Sequence, residues 1–140
     1  MAKKRRIGWE VLPQDARDPL MEKHPYYVPG IVVSDVKKHI FVSGQTGLRT
    51  GAQGNVLNAG DIADQTKTTI ERVKSVLENE GAALDDVVQV TVFLRVASDR
   101  DKNAEIRARY FEGSPPTSTL VGVDLVHKEM LVEISAIAVL

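Results

Sequence analysis

PPTSTLVGVDLVHKEMLVEISAIAV, Pro115 to Val139, is the stretch from which the fold of this chain is read. It holds two strand-like runs, Thr117 to Val123 and Met130 to Val139, joined by a short polar connection. Glu133 stands inside the second run, where the pattern calls for an apolar residue. A lone carboxylate in a buried strand is costly unless it is paired or hydrogen-bonded. Two readings follow. Glu133 is a general acid/base whose pKa is set by burial, or it is half of an intersubunit salt bridge or an exposed strand position. The residues alone do not choose between them.

Upstream, Val87 to Val96 reads VVQVTVFLRV, a long strand. Alternation puts Val88, Val90, Val92, Leu94 and Val96 on one apolar face, and Val87, Gln89, Thr91, Phe93 and Arg95 on a mixed one. A helix then starts near Ser98 or Asp99 and runs to about Glu112, with Ile106, Tyr110 and Phe111 on its apolar side; Gly113 and the Pro115–Pro116 pair stop it. Before the strand comes an amphipathic helix, Asp61 to Glu80. Asp61 caps it, Ile62, Thr66, Ile70, Val73 and Leu77 recur at helical spacing, and Gly81 ends it. Further back lie a loop from Gly51 to Gly60 and the segment SGQTG at Ser43 to Gly47, whose glycines permit close backbone approach. Two short runs, Ile31 to Val33 and Ile40 to Val42, flank the polar Ser34 to His39 as in a hairpin.

Residues 1–28, punctuated by Pro13, Pro19 and Pro25 and followed by Pro29, read as an irregular arm in front of one domain spanning 29–140. Trp9, Tyr26 and Tyr27 imply that parts of this arm pack onto something. The basic run Lys3 to Arg6 reads as a solvated tail rather than a phosphate contact. The element order β-β-α-β-α-β-β predicts an α+β layer, a mixed sheet with both helices on one face. The other face would carry Leu131, Glu133, Ser135, Ile137 and Val139. A face that apolar predicts self-association, with a site at the subunit junction.

Composition sets the remaining bounds. The formal net charge of -1 offers no field for nucleic acid or an anionic membrane. With no cysteine there is no disulfide and no thiolate chemistry. No apolar run reaches membrane-span length, and MAKKRRIGWE has no apolar segment behind its basic residues, so the expected location is the cytoplasm. His24, His39 and His127 are far apart in loop-like segments and read as surface residues rather than metal ligands. No phosphate-binding loop, GxSxG or dinucleotide fingerprint occurs, and no cofactor is implied.

Four motifs, IFVSGQTG at Ile40 to Gly47, DVVQVTVFL at Asp86 to Leu94, PPTSTLVGV at Pro115 to Val123 and LVEISAIAV at Leu131 to Val139, make the chain resemble the RidA family. That family is also called YjgF or L-PSP endoribonuclease. The resemblance runs from about Gly30 to Val139. It implies a chorismate-mutase-like fold, a homotrimer with clefts between subunits, and hydrolysis of reactive enamines and imines such as those that pyridoxal-phosphate enzymes release from serine or threonine. It also implies roles. Glu133 is the glutamate that works with a water, the Leu120 carbonyl orients that water, and Ser43, Gly44, Ser118 and Thr119 line the substrate site. Two positions depart from the pattern. Ser118 stands where the family has an arginine that grips the substrate carboxylate. Gly30, after Pro29, stands where a tyrosine is usual, with Tyr26 or Tyr27 as candidates to replace it.

Exchanging a guanidinium fork for one hydroxyl removes a charge-assisted contact worth on the order of 2–5 kcal/mol. Either the substrate lacks a carboxylate, or another cation reaches the cleft (Arg49, or a residue of the basic arm), or the protein binds a ligand without hydrolysing it. The expected function is a RidA-like deaminase of altered specificity; the alternative is a non-catalytic trimer that binds a small metabolite. A ribonuclease role is weakly supported, since the chain has no basic–aromatic stripe and no histidine pair.

Overall fold

The computed structural model describes residues 2–23 and 25–140; His24, expected at the surface, lies outside them. In chain order the principal elements are β1 (Lys3–Ile7), α1 (Pro19–Lys23), β2 (Gly30–Ser34), β3 (His39–Thr46), α2 (Ile62–Asn79), β4 (Val87–Leu94), α3 (Arg100–Tyr110), β5 (Thr117–Gly122) and β6 (Val132–Val139). Four strands form one sheet in the order β3-β6-β4-β5. β6 runs antiparallel to both neighbours, and β5 runs parallel to β4, so the sheet is mixed.

The amphipathic spacing of α2 decides the core. Its Ile70, Val73 and Leu77 are buried against Ile40 and Val42 of β3 and Ile134, Ala136 and Ala138 of β6. Asp61 caps the helix, its carboxylate accepting from the Asp64 backbone N–H at 2.9 Å. Gly81 turns the chain out at φ +76°, a conformation that favours glycine. α3 packs beside α2, and both lie on the same face of the sheet. Along β6 the alternation is regular: Val132, Ile134, Ala136 and Ala138 are buried, while Glu133, Ser135 and Ile137 are half-buried on the helix-free face. Val139 continues that second set in sequence, yet it is buried at the end of the strand, opposite His39.

The architecture is the α+β layer read from the sequence, with three corrections of detail. β2 and β3 do not form a hairpin. Lys37 and Lys38 N–H donate instead to the Leu140 carbonyl at 2.7 and 2.9 Å, which ties the connection to the end of β6, and β2 turns away. Nor is the arm irregular throughout. KKRRI forms β1 and pairs antiparallel with β2, Lys3 opposite Ser34 and Ile7 opposite Gly30. Its charges are used locally, Lys3 with Asp35 and Lys4 with Asp86 at 3.1 and 3.0 Å. Finally, β4 carries a bulge between Val87 and Gln89, which breaks the alternation. Val87, not Val88, enters the core with Val90, Val92 and Leu94, and Val96 is exposed beyond the strand.

Candidate functional site

Glu133 occupies a central strand, its backbone opposite Thr46 of β3 and Phe93 of β4. Both neighbours face the helix-free side with it. β3 slips its register between Val42 and Gln45, so Ser43 and Gly44 bulge beside β6. The Glu133 carboxylate lies against Gly44, where an added Cβ would overlap Glu133 Oε1. Glycine at 44 is what lets the carboxylate rest in this place. Among the described residues neither a cation nor a hydrogen-bond donor partners Glu133, and the residue is half-buried rather than buried.

Ser118 belongs to a different neighbourhood. β5 is an edge strand, with Ser118 opposite Val90 and Leu120 opposite Val92 of β4. Val90 and Val92 are core residues, so the side chains of Ser118 and Leu120 point to the helix side, Leu120 remaining 40% exposed at the sheet edge. Thr119, opposite Thr91, shares the face of Glu133. On the helix side Ser118 meets Arg107 of α3, whose Nη2 donates to Ser118 Oγ at 2.6 Å. Arg107 is 1% exposed, and its Nε has no partner. It pairs with no carboxylate among the described residues; the Tyr26 ring covers it, 5.1 Å from the guanidinium carbon to the ring centroid. Burial pulls its pKa down to about 10, so it is still a cation at neutral pH.

The arm closes over this point. Val28 N–H donates to the Pro116 carbonyl at 2.9 Å, and Arg6 Nε to the Pro115 carbonyl at 2.8 Å. Tyr27 stacks at a tilt on Tyr26 and edge-on with Trp9, at centroid distances of 5.1 and 5.2 Å. Burial, and then the neighbouring Tyr26 and Asp18, push the Tyr27 hydroxyl above its ordinary pKa, against a smaller opposing pull from Arg100 and Arg107. Between arm and sheet lies a cavity of about 380 Å³ whose walls include Trp9, Tyr27, Pro29, Gln89, Ser118 and Thr119.

Residues 21–140 match the family model described as Endoribonuclease L-PSP. The chain belongs to the RidA (YjgF, L-PSP) family. A RutC family protein of Pyrococcus abyssi is 42% identical over 103 residues, covering 74% of this chain and 80% of its own. TdcF of E. coli, solved with bound serine, is 29% identical with a TM-score of 0.65, covering 81% of this chain and 87% of TdcF. YyfB of Yersinia pestis, a Rid family protein of unknown function, matches at 23% identity and a TM-score of 0.77, a likeness of fold alone. That match covers 98% of both chains, so the arm is included in the shared architecture.

In this RidA-family chain the residues singled out from sequence fall into two groups. Ser43, Gly44 and Glu133 converge on β3 and β6. Ser118 and Thr119 line the arm cavity, one strand beyond β4. Glu133 is level with Val121 through Phe93, and Ser118 lies three residues back. That places the two groups about 10 Å apart along the strands and about 10 Å apart across them. Gly30 is not in the cavity wall; it pairs with Ile7, next to Pro29, which is. Arg49 does not reach the cavity. It bonds Asp64 Oδ2 at 3.0 Å, and that contact together with Asn58 holds the Asp64 carboxyl below its ordinary pKa. Nor does the basic arm supply the missing charge directly.

The cation at Ser118 is Arg107, which reading the sequence passed over. The signal was present in the inward face of α3, Asn103, Ile106, Arg107 and Tyr110, which puts polar residues at two of four core-facing positions. Among the described residues no group of His, Cys, Asp and Glu is placed to hold a metal, and no helix is long and apolar enough to cross a membrane.

Proposed function

We propose that this chain is a RidA-type hydrolytic deaminase of imine and enamine intermediates, with altered substrate specificity, working as a homotrimer in the cytoplasm. One observation carries the reading. Glu133 is an unpartnered carboxylate in a central strand, held against a glycine that makes room for it. A carboxylate kept there for structure alone would need a cation or a set of donors once a trimer covers this face.

The chemistry asked of it is modest. Water attacks the carbon of a protonated imine while the Glu133 carboxylate takes one water proton, giving a neutral carbinolamine. Glu133 then returns that proton to the nitrogen. The C–N bond breaks, C=O forms, and the hydroxyl proton leaves with ammonia as ammonium. Ser43 stands beside Glu133, while Thr119 and the Leu120 carbonyl, assigned to hold the water, lie across β4 and would meet Glu133 from a neighbouring protomer of the trimer. The bound serine of TdcF supports a small amino-acid-like ligand for the family site. Trimerisation is supported by the helix-free face, where Phe41 is 72% exposed beside the half-buried Ile137 and Phe93.

The test is hydrolysis of 2-iminopropanoate and 2-iminobutanoate, generated in situ, by wild type and Glu133→Ala. Wild-type turnover that falls about 100-fold or more in the variant is the expected result. The exchange of arginine for Ser118 favours the second reading, a trimer that binds a metabolite without hydrolysing it. Absence of wild-type turnover on every imine offered would put that reading first.

A further inference from the structure

Arg107 is a buried cation without an anion. A guanidinium carries five donors, yet one bond to Ser118 Oγ is the side-chain bond it makes among the described residues, and its buried Nε makes none. Charges held this way are usually destabilising unless a partner completes them. Ser118 is the route by which a partner outside can feel this charge. Its oxygen already accepts from Arg107, so its own proton is left to be donated, and donation is strengthened when the oxygen is itself bonded to a cation. Ser118 also lines the arm cavity. Ser118 is thus the residue of the cavity wall that stands against the positive charge of α3.

The cavity has a second character. Its polar end is Gln89, Ser118 and Thr119; the opposite wall is aromatic and apolar, with Trp9, Tyr27 and Pro29. The indole N–H of Trp9 is buried and unpartnered, a further donor without an acceptor. About 380 Å³ is several times what a three-carbon acid fills.

We propose that the arm-walled cavity binds a small carboxylate with an aromatic or bulky apolar side chain, and that Arg107 is its positioning cation, acting through the Ser118 hydroxyl. The apolar wall would offset the loss of direct contact with the guanidinium. Under the deaminase reading, on which this substrate assignment rests, the preferred substrates are 2-imino acids with large side chains rather than those derived from serine or threonine. Binding itself requires no turnover.

The experiment uses the full chain and calorimetric titration with 3-phenylpropanoate, with 3-phenylpropanamide as its uncharged counterpart and with propanoate. Trp9 is the chain's one tryptophan, so its fluorescence gives an independent readout of the cavity. Wild type is expected to bind 3-phenylpropanoate at least ten-fold tighter than either other compound. Arg107→Met and Ser118→Ala should each erase the preference for carboxylate over amide, and Arg107→Lys should keep part of it. Equal binding of carboxylate and amide by wild type overturns the proposal, as does a preference that survives in Ser118→Ala. So does a failure of 3-phenylpropanoate to bind. Should Arg107→Met not fold, the wild-type ratio and Ser118→Ala decide. The deaminase reading fails separately: a protein that binds 3-phenylpropanoate as expected but hydrolyses no imine keeps the anchor and loses the enzyme.

Discussion

Gly44 and Glu133 constrain each other. The carboxylate sits where any Cβ at position 44 would be, so Gly44→Ala must push Glu133 out of its place. Because a flexible side chain can yield where backbone cannot, the fold should survive with a loss of about 1 kcal/mol or less. The chemistry should not: a shift of about 1 Å in a catalytic group costs about 100-fold. We expect kcat/KM on the in situ imines to fall by that order while the thermal midpoint moves little. An unchanged kcat/KM would remove Glu133 from the reaction. Glu133 and Gly44 were legible in the sequence because a carboxylate in an apolar strand and a glycine in SGQTG are both local departures from pattern. Arg107 was not. A charged helix residue usually faces water, and although Ile106, Tyr110 and Phe111 mark the inward side of α3, an arginine next to Ile106 carries no sign in the sequence that it is buried.

At the level of elements, strand and helix limits followed from periodicity, and the errors arose where tertiary contacts overrode it. KKRRI has no strand pattern of its own; it is a strand because GIVVS lies beside it and Asp35 and Asp86 take its charges. The slip of one residue at Val87 exchanged Val88 for Val87 in the core, and no alternation rule anticipates a bulge. The loop between β3 and α2 is ordered by a side-chain junction. Asn58 Nδ2 donates to the Gly47 carbonyl and to Asp64 Oδ2 at 2.7 and 2.8 Å, and Arg49 Nε joins the same oxygen. The Asp64 carboxyl is thereby held below its ordinary value of 3.8. A depressed folded-state pKa stabilises above the unfolded value and loses that contribution as pH falls through the folded one. Asp64→Asn should therefore speed amide exchange across residues 48–58 at neutral pH, and the difference from wild type should vanish well below pH 3.8. A difference that persists in acid would place the order of the loop elsewhere.

For the molecule as a whole, the helix-free face carries the apolar surface for which the sequence predicts a partner. Phe41 stacks on His39 at 6.4 Å but is otherwise exposed, opposite Ile137. If this face is the trimer contact, light scattering on wild type will give three times the 15.4 kDa chain mass, and Phe41→Glu will give the mass of one chain with the fold retained. A monomeric wild type would leave Glu133 open to water and remove the shielding on which its chemistry depends.

The seam between α2 and α3 is polar where most helix pairs are greasy: Thr66 and Asn103 are both fully buried, and Asn103 Nδ2 donates to Thr66 Oγ1 at 3.1 Å. Such a seam restricts descent with modification. Neither Thr66 nor Asn103 can drift alone to an apolar residue without stranding its partner's polar atom, so lineages should lose the two together or not at all. Ile70, a turn further along α2, is free to wander among aliphatics. The ancestry of this protein would then be recorded less in its active residues than in which pairs of its hidden ones have changed in step.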